Sequence, residues 1–329
     1  MTQEIVHPLI QTKNLKKWFP VRQSFFKRSG AQRFVHAVDG VTLEVRRGEV
    51  LSLAGESGCG KTTLGRLILR LVEPTDGTVL FETHDIFKMN KAEVRKLRTQ
   101  MQAVFQDPYS SLDPKKSIYQ IVAEPLVVNK LTRNHEEEAA RVSSALTAVG
   151  FNPPTRFFTR RPYELSGGQR QRVATARAVV VNPQLIIADE PVSMLDVSIR
   201  AEILTLMLNL KRQLNLTYVF ITHDLAIARY VSDRLAVMYL GKIIELGRAE
   251  DVCLRPFHPY TKALLSALPS GDPRTRSKTL EIKGELESAI DLPKGCRFKP
   301  RCLYAFDRCD EEPELIRVGE DHYAACWLS

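Results

Sequence analysis

Apolar and polar positions alternate through Val35-His-Ala-Val-Asp-Gly-Val-Thr-Leu-Glu-Val45, the period of a strand with one buried face. A turn at Arg47-Gly48 and a mainly apolar run from Val50 to Ala54 predict a second strand. The period then lengthens. Leu64, Leu67, Ile68 and Leu71 recur at helical spacing and predict a helix over 61–71, with a turn at Pro74, Asp76 and Gly77. Residues 91–165 carry mainly helical patterns, broken by Pro108, Pro114, Pro125, Pro153 and Pro154. Two further buried strands, Leu185–Ala188 and Tyr218–Thr222, flank a helical stretch from Ser198 to Leu214. Such strand–helix–strand alternation implies an α/β fold with parallel strands. Near residue 256 the pattern changes: a short helix over 260–268 leads into a tail rich in proline, charge and cysteine.

A chain of 329 residues suggests two units, or one large domain with an appendage, at roughly 100–200 residues per domain. No apolar run reaches the roughly 18 residues that a spanning helix needs. The opening MTQEIVHPLI lacks a basic region followed by an apolar core, so no secretory signal and a cytoplasmic location are expected. The net charge is +9, and Lys13, Lys16, Lys17, Arg22, Lys27, Arg28 and Arg33 gather near the start. That run is a solvated loop or a surface for nucleic acid or anionic lipid. It lacks the interleaved aromatics of a single-strand binding surface.

Chemistry enters at Gly55-Glu-Ser57-Gly58-Cys59-Gly60-Lys61-Thr62, which fits G-x-x-x-x-G-K-[ST] between a strand and a helix. Glycines let backbone N–H groups approach phosphate oxygens, and the helix adds the positive end of its dipole. Lys61 would reach the β- and γ-phosphates, and the Thr62 hydroxyl would ligate Mg²⁺. Thr63 follows within the same nucleotide-binding set. Cys59 reads as a small filler. Leu185-Ile-Ile-Ala-Asp189-Glu190 is an apolar strand ending in two acids. Asp189 suits a Mg²⁺ site, and Glu190 suits a base that orients or deprotonates the attacking water.

Leu165-Ser166-Gly167-Gly168-Gln169, followed by Arg-Gln-Arg, resembles the signature motif of ABC ATPases. Other family motifs stand in order. Phe19 resembles the aromatic that stacks on adenine, with Trp18 beside it leaving the register open. Gln106 in Val-Phe-Gln-Asp-Pro resembles the Q-loop, which touches Mg²⁺ or water. Asp196 in Ser-Met-Leu-Asp resembles the D-loop, with Met194 where alanine is usual. His223 in Ile-Thr-His-Asp resembles the switch histidine at the γ-phosphate. The resemblance implies a P-loop NTPase fold with a mixed sheet core and an inserted helical subdomain at about 107–170. It also implies hydrolysis of ATP between two cassettes facing head to tail.

His258-Pro-Tyr-Thr-Lys-Ala-Leu-Leu265, Gly55-Glu-Ser-Gly-Cys-Gly60 and an insertion at about 21–34 resemble the oligopeptide, dipeptide and nickel importer branch. This implies an ATPase domain over 1–255 and an extension over 256–329. It implies peptide import, with nickel or another small solute as the alternative; a non-transport ABC ATPase acting on nucleic acid is the remoter one. The implied partners are a paralogous ATPase in a heterodimer, two transmembrane permease subunits and an extracytoplasmic peptide-binding protein, with no nucleic acid. The implied location is the cytoplasmic face of the bacterial inner membrane.

Cys296-x5-Cys302-x6-Cys309-x16-Cys326 lacks the C-x2-C spacing of zinc ribbons and bacterial ferredoxins. Four thiolates suit Zn²⁺ or an iron–sulfur cluster, and free thiols remain the third option. The resemblance implies a [4Fe–4S] cluster of structural role. Arg297, Lys299, Arg301 and Arg308 would offset its charge.

Overall fold

The computed structural model describes residues 7–21, 32–268, 284, 288–290 and 292–328. The expected insertion at about 21–34 lies mostly outside these, as do Arg22, Lys27 and Arg28 of the basic run. The described chain forms β1 (Ile10–Pro20), β2 (Phe34–Val45), β3 (Val50–Ala54), α1 (Lys61–Ile68), β4 (Asp76–Phe81) and β5 (His84–Asp85). Next come α2 (Lys91–Gln100), β6 (Met101–Val104), α3 (Pro108–Ser111), α4 (Ile118–Asn129), α5 (His135–Ala148), α6 (Gly167–Val179), β7 (Leu185–Asp189) and α7 (Val197–Leu214). The chain continues through β8 (Thr217–Thr222), α8 (Leu225–Val231), β9 (Arg234–Tyr239), β10 (Lys242–Arg248), α9 (Ala249–Leu254), α10 (Pro259–Ser266), β11 (Ile316–Gly319) and β12 (His322–Ala324). It divides into two units, with one boundary inside β8.

The first unit comprises the N-terminal strands, Val50–Phe87 and the chain from Ile221 onward. It holds an antiparallel sheet of order β2-β1-β4-β5 and a mixed arrangement of order β11-β12-β10-β9-β3. β3 runs parallel to β9, whereas β10 is antiparallel to both β9 and β12. Every residue of β3 and of β9 is buried, which is why β3 reads as a run rather than an alternation. β11 and β12 were not legible as strands. They are four and three residues long, too short for a period to register.

α1 ends at Ile68, three residues short of the predicted end at 71, and Leu71 is half exposed at 49%. The stop is a Schellman motif. Arg70 takes the left-handed φ of +51°, its N–H bonds the Leu67 carbonyl at 3.0 Å, and the Leu71 N–H bonds the Arg66 carbonyl at 2.8 Å. Glycine usually marks this position, and arginine hides it.

The second unit comprises Arg47–Glu49 and Lys88–Phe220. Its strands take the order β8-β7-β6, with β6 parallel to β7 from Met101 opposite Leu185 to Val104 opposite Ala188. β6 was expected to be helical. It follows α2 with no glycine or proline between, so nothing in the sequence punctuates the change. Pro125 does not break α4, because Ile121, Val122 and Leu126 around it are buried and packing outweighs one lost hydrogen bond. α2, α4, α5 and α6 begin at Asn90, Ser117, Asn134 and Ser166, whose side chains accept from the first turn.

The predicted helix over 260–268 is α10, with Pro259 at its first position. Its cap is His258, fully enclosed, whose Nδ1 accepts the Tyr260 N–H at 3.0 Å. Only the neutral ring can accept there. Burial pushes the His258 pKa down to about 4, more than the nearby Glu245 carboxylate restores, and Lys262 adds to the fall. The unfolded ring titrates near its ordinary 6.5, so between pH 6.5 and 4 the unfolded state binds more protons. This contribution is complete above pH 6.5 and is lost as pH falls towards 4, by roughly 2 kcal/mol at pH 5. Denaturant unfolding at pH 7 and pH 5 should show that drop. His258→Asn, which keeps a capping side chain, should remove about that much of the difference between the two pH values.

Candidate active site

In the first unit, β3 leads into the glycine loop and α1 begins at Lys61. Gly60 caps the helix at φ +107°, and a Cβ there would lie 2.0 Å from the Ala37 carbonyl oxygen of β2. No other residue fits this position without moving a strand. The loop is pinned again where the Gly241 N–H donates to the Cys59 carbonyl at 2.9 Å. Lys61 is buried, and its Nζ donates to the carbonyls of Gly55 and Glu56 at 2.8 and 2.9 Å. Cys59 is enclosed, and burial raises its thiol pKa even against the adjacent Lys61. That makes it a neutral filler, as expected. Ser57 and Gly58 are exposed at the loop tip, while Thr62 and Thr63 are half-buried in the first turn of α1.

β1 resolves which of its two aromatics stays open. The Trp18 indole donates to Asp39 Oδ1 at 3.0 Å, and its ring stacks on His36 with centroids 4.4 Å apart. Its neighbour Phe19 points to the other face, 38% exposed, with Lys17 Nζ 5.1 Å from its ring centre. Phe19 pairs with Val35, two residues from the Ala37 carbonyl that abuts Gly60, so one strand carries both the aromatic and the loop support. His223 is exposed just beyond the end of β8, and Asp224 after it caps α8.

In the second unit, β7 ends at Asp189, and Glu190 follows in the left-handed conformation at φ +46°. A glutamate held there carries backbone strain, which turns its side chain off the strand's alternation. The Ser193 N–H and hydroxyl donate to the Glu190 carbonyl at 3.2 and 3.1 Å. Gln106, two residues beyond β6, donates from Nε2 to Glu190 Oε2 at 3.0 Å. The parallel pairing of β6 and β7 brings these two residues together.

Ser166 and Gln169 form a reciprocal capping box on α6. Ser166 Oγ accepts the Gln169 N–H at 3.3 Å, and Gln169 Oε1 accepts the Ser166 N–H at 3.0 Å. Serine followed three residues later by glutamine is the sequence signal of this cap, overlaid here by the Leu-Ser-Gly-Gly-Gln motif. Gly168 is required by packing, since a Cβ there would lie 2.6 Å from Ile199 Cγ2 of α7. Asp196 caps α7 by position, yet its carboxylate makes no capping bond and stays exposed. Met194 is exposed too, so its departure from the usual alanine disturbs no core.

In the tail, the Cys296 N–H donates to the Cys309 carbonyl at 3.0 Å. Burial pushes the Cys296 thiol up to about 11, with Cys309 and Cys326 adding to the rise. Burial also raises Cys326, with Cys302 and Cys309 contributing. The four cysteines share one neighbourhood. Among the described residues, however, no three His, Cys, Asp or Glu side chains converge closely enough to hold a metal ion. The basic residues expected to offset a cluster are engaged elsewhere. Arg297 pairs with Asp39, Lys299 with Asp310 at 2.6 Å and Arg301 with Glu56 at 2.8 Å, while Arg308 lies over the Trp327 ring at 3.9 Å.

Residues 38–193 match the ABC transporter family model, and residues 244–309 match the oligopeptide/dipeptide transporter C-terminal region. The chain is 44% identical to the oligopeptide transport ATP-binding protein AppF of Bacillus subtilis, over 100% of this chain and 99% of that one. It is 42% identical to the dipeptide transport ATP-binding protein DppF of Escherichia coli, over 97% and 94%. Among solved structures, cbiO1 of Clostridium perfringens, part of the transporter complex cbiONQ, matches with a TM-score of 0.64. It is 28% identical, over 76% of this chain and 92% of that one. The ATP-binding cassette MJ0796, as a dimer bound to ADP and Pi, matches at 0.63 with 29% identity, over 73% and 98%. The chain belongs to the ATP-hydrolysing subunits of ABC transporters, in the group that carries the oligopeptide/dipeptide transporter C-terminal region.

Proposed function

We propose that this protein hydrolyses ATP to power import of di- or oligopeptides through a membrane transporter. The observation that carries the reading is one chain joining intact nucleotide motifs to a peptide-transporter tail, at 44% identity over its full length. Residues 1–255 are the ATPase domain, with a helical subdomain over about 107–170, and 256–329 are the extension. No helix among the described residues is long and apolar enough to cross a membrane. The reading therefore calls for two transmembrane permease subunits, an extracytoplasmic peptide-binding protein, and a paralogous ATPase as partner cassette. Its place is the cytoplasmic face of the inner membrane.

Phe19 would stack on adenine, and Lys61 with the loop N–H groups would hold the phosphates. The hydroxyl of Thr62, the Asp189 carboxylate and Gln106 are hard oxygen donors suited to Mg²⁺. That ion would neutralise phosphate charge. Glu190, held by Gln106, would orient the attacking water and take its proton. His223 would contact the γ-phosphate. Ser166, Gly167, Gly168, Gln169 and Asp196 would serve the partner's nucleotide.

Glu190→Gln tests the base. The amide oxygen can still accept from Gln106, so binding geometry survives. ATP turnover of the assembled transporter should fall by a factor on the order of 10² or more with MgATP binding retained. Near-wild-type turnover would remove Glu190 from that role.

The tail cysteines are proposed to hold a [4Fe–4S] cluster, with Zn²⁺ as the alternative. The support is four soft thiols in the tail whose charges act on one another, and a cluster requires them to draw closer than the described side chains stand. Its place in the fold is structural. Anaerobic purification should give a brown protein with about four irons per chain. A colourless protein with stoichiometric zinc would refute the cluster.

A further inference from the structure

The phosphate loop is held by more than its own strand and helix. Glu56, its second residue, is gripped at three points. Its carboxylate accepts two hydrogen bonds from the Arg301 guanidinium, at 2.8 and 3.1 Å, one to each oxygen. Its backbone N–H donates to the Tyr260 hydroxyl at 2.9 Å. Its carbonyl accepts from Lys61 Nζ at 2.9 Å. Arg301 and Tyr260 both belong to the C-terminal extension, 245 and 204 positions from Glu56 in sequence. Lys61 is the residue that would meet the phosphates.

The extension's side of this grip is rigid. Tyr260 is fully buried, its ring against Tyr239 and Phe298 with centroids 4.8 and 5.4 Å away. Arg301 is 8% exposed and lies over the Tyr239 ring. A second arm reaches the other end of the site. Arg297 donates to the Leu240 carbonyl and to Asp39, whose other oxygen takes the Trp18 indole N–H. The Asp39 N–H bonds the Gly241 carbonyl, and the Gly241 N–H bonds Cys59 in the loop, both at 2.9 Å.

Stability alone gives a weak reason for the Arg301–Glu56 pair. Burying a guanidinium costs desolvation, and an apolar pair of similar volume is often as stable. What a bidentate fork adds is fixed geometry. Here the geometry fixed is that of the loop. We propose that Arg301, braced by Tyr239 and acting with Tyr260 through Glu56, is a positioning residue for ATP, so that the C-terminal extension sets the phosphate loop. The inference rests on the reading that this loop takes ATP.

The test titrates the full chain with MgATP as wild type, Arg301→Gln, Arg301→Lys, Glu56→Gln and the Glu56→Gln/Arg301→Gln double variant. Thermal melting of each is followed in parallel. Arg301→Gln and Glu56→Gln should each raise the Kd for MgATP about tenfold, the double variant no more than either alone, and Arg301→Lys by less. Lys299→Ala, which breaks a neighbouring exposed tail pair, should leave the Kd unchanged. A purely structural anchor would lower the melting temperature and leave the Kd where it was. Unchanged affinity in a folded Arg301→Gln, or penalties that add in the double variant, would overturn the inference. If the Arg301 variants do not fold, Glu56→Gln with the tail intact decides by itself, since unchanged affinity there overturns the inference equally. A wild-type chain that fails to bind MgATP would overturn the ATP reading, and this inference with it.

Discussion

A loop that must aim backbone N–H groups at phosphate cannot afford side chains on its inner turn. That constraint is met at Gly60, whose Cα sits so close to the Ala37 carbonyl that a Cβ would be 2.0 Å from it. The closeness ties the loop to β2, and through β2 to the β1 strand bearing Phe19. The same crowding recurs at Gly241, where a Cβ would lie 2.6 Å from the His36 carbonyl oxygen. The nucleotide loop is thus wedged between two stretches of chain, and every element that sets those stretches sets the loop.

What the sequence revealed follows from this. Local chemistry is legible because a phosphate loop, a double acid after an apolar strand and a capped glycine helix must each be contiguous. Gly55–Thr62, Leu185–Glu190 and Leu165–Gln169 could therefore be read one by one, and β3, β7 and β8 with them. The helix at Pro259 was legible for the same reason, its cap and first proline being adjacent. Pairings between distant residues were hidden. Arg301 and Glu56 are separated by 245 positions, and neither announces the other. Short elements were hidden too. β6, β11 and β12 are no longer than four residues, below the length at which alternation can be told from chance. The stop of α1 was hidden because arginine, rather than glycine, takes the left-handed position.

The tail illustrates a different limit. Its charges were read as a set around the cysteines, because a sequence shows neighbours along the chain. In space two of the four reach outward, while Lys299 and Arg308 stay with Asp310 and Trp327. Arg297 and Arg301 turn towards Asp39 and Glu56, and the paired acids lie near the start of the chain rather than in the tail. The Asp39 carboxyl would be raised by burial, but Arg297 with Trp18 and His36 holds it below the usual range. A charged partner, more than the immediate sequence, decides what Arg297 and Arg301 do.

The seam between β10 and the C-terminal segment places a polar centre beside the apolar packing of Tyr260 and Phe298 on Tyr239. Glu245 is fully buried on β10 and accepts from His322 Nε2 at 2.8 Å and from the N–H groups of Phe257 and His258 at 2.7 and 3.1 Å. β12 pairs with β10 at that residue, Glu245 opposite Ala324, which closes the strand edge that β10 would otherwise present. Apolar surfaces slide at little cost, whereas a buried carboxylate with three donors has one register. That register fixes the chain at 257–258, hence the start of α10, hence the height at which Tyr260 meets Glu56.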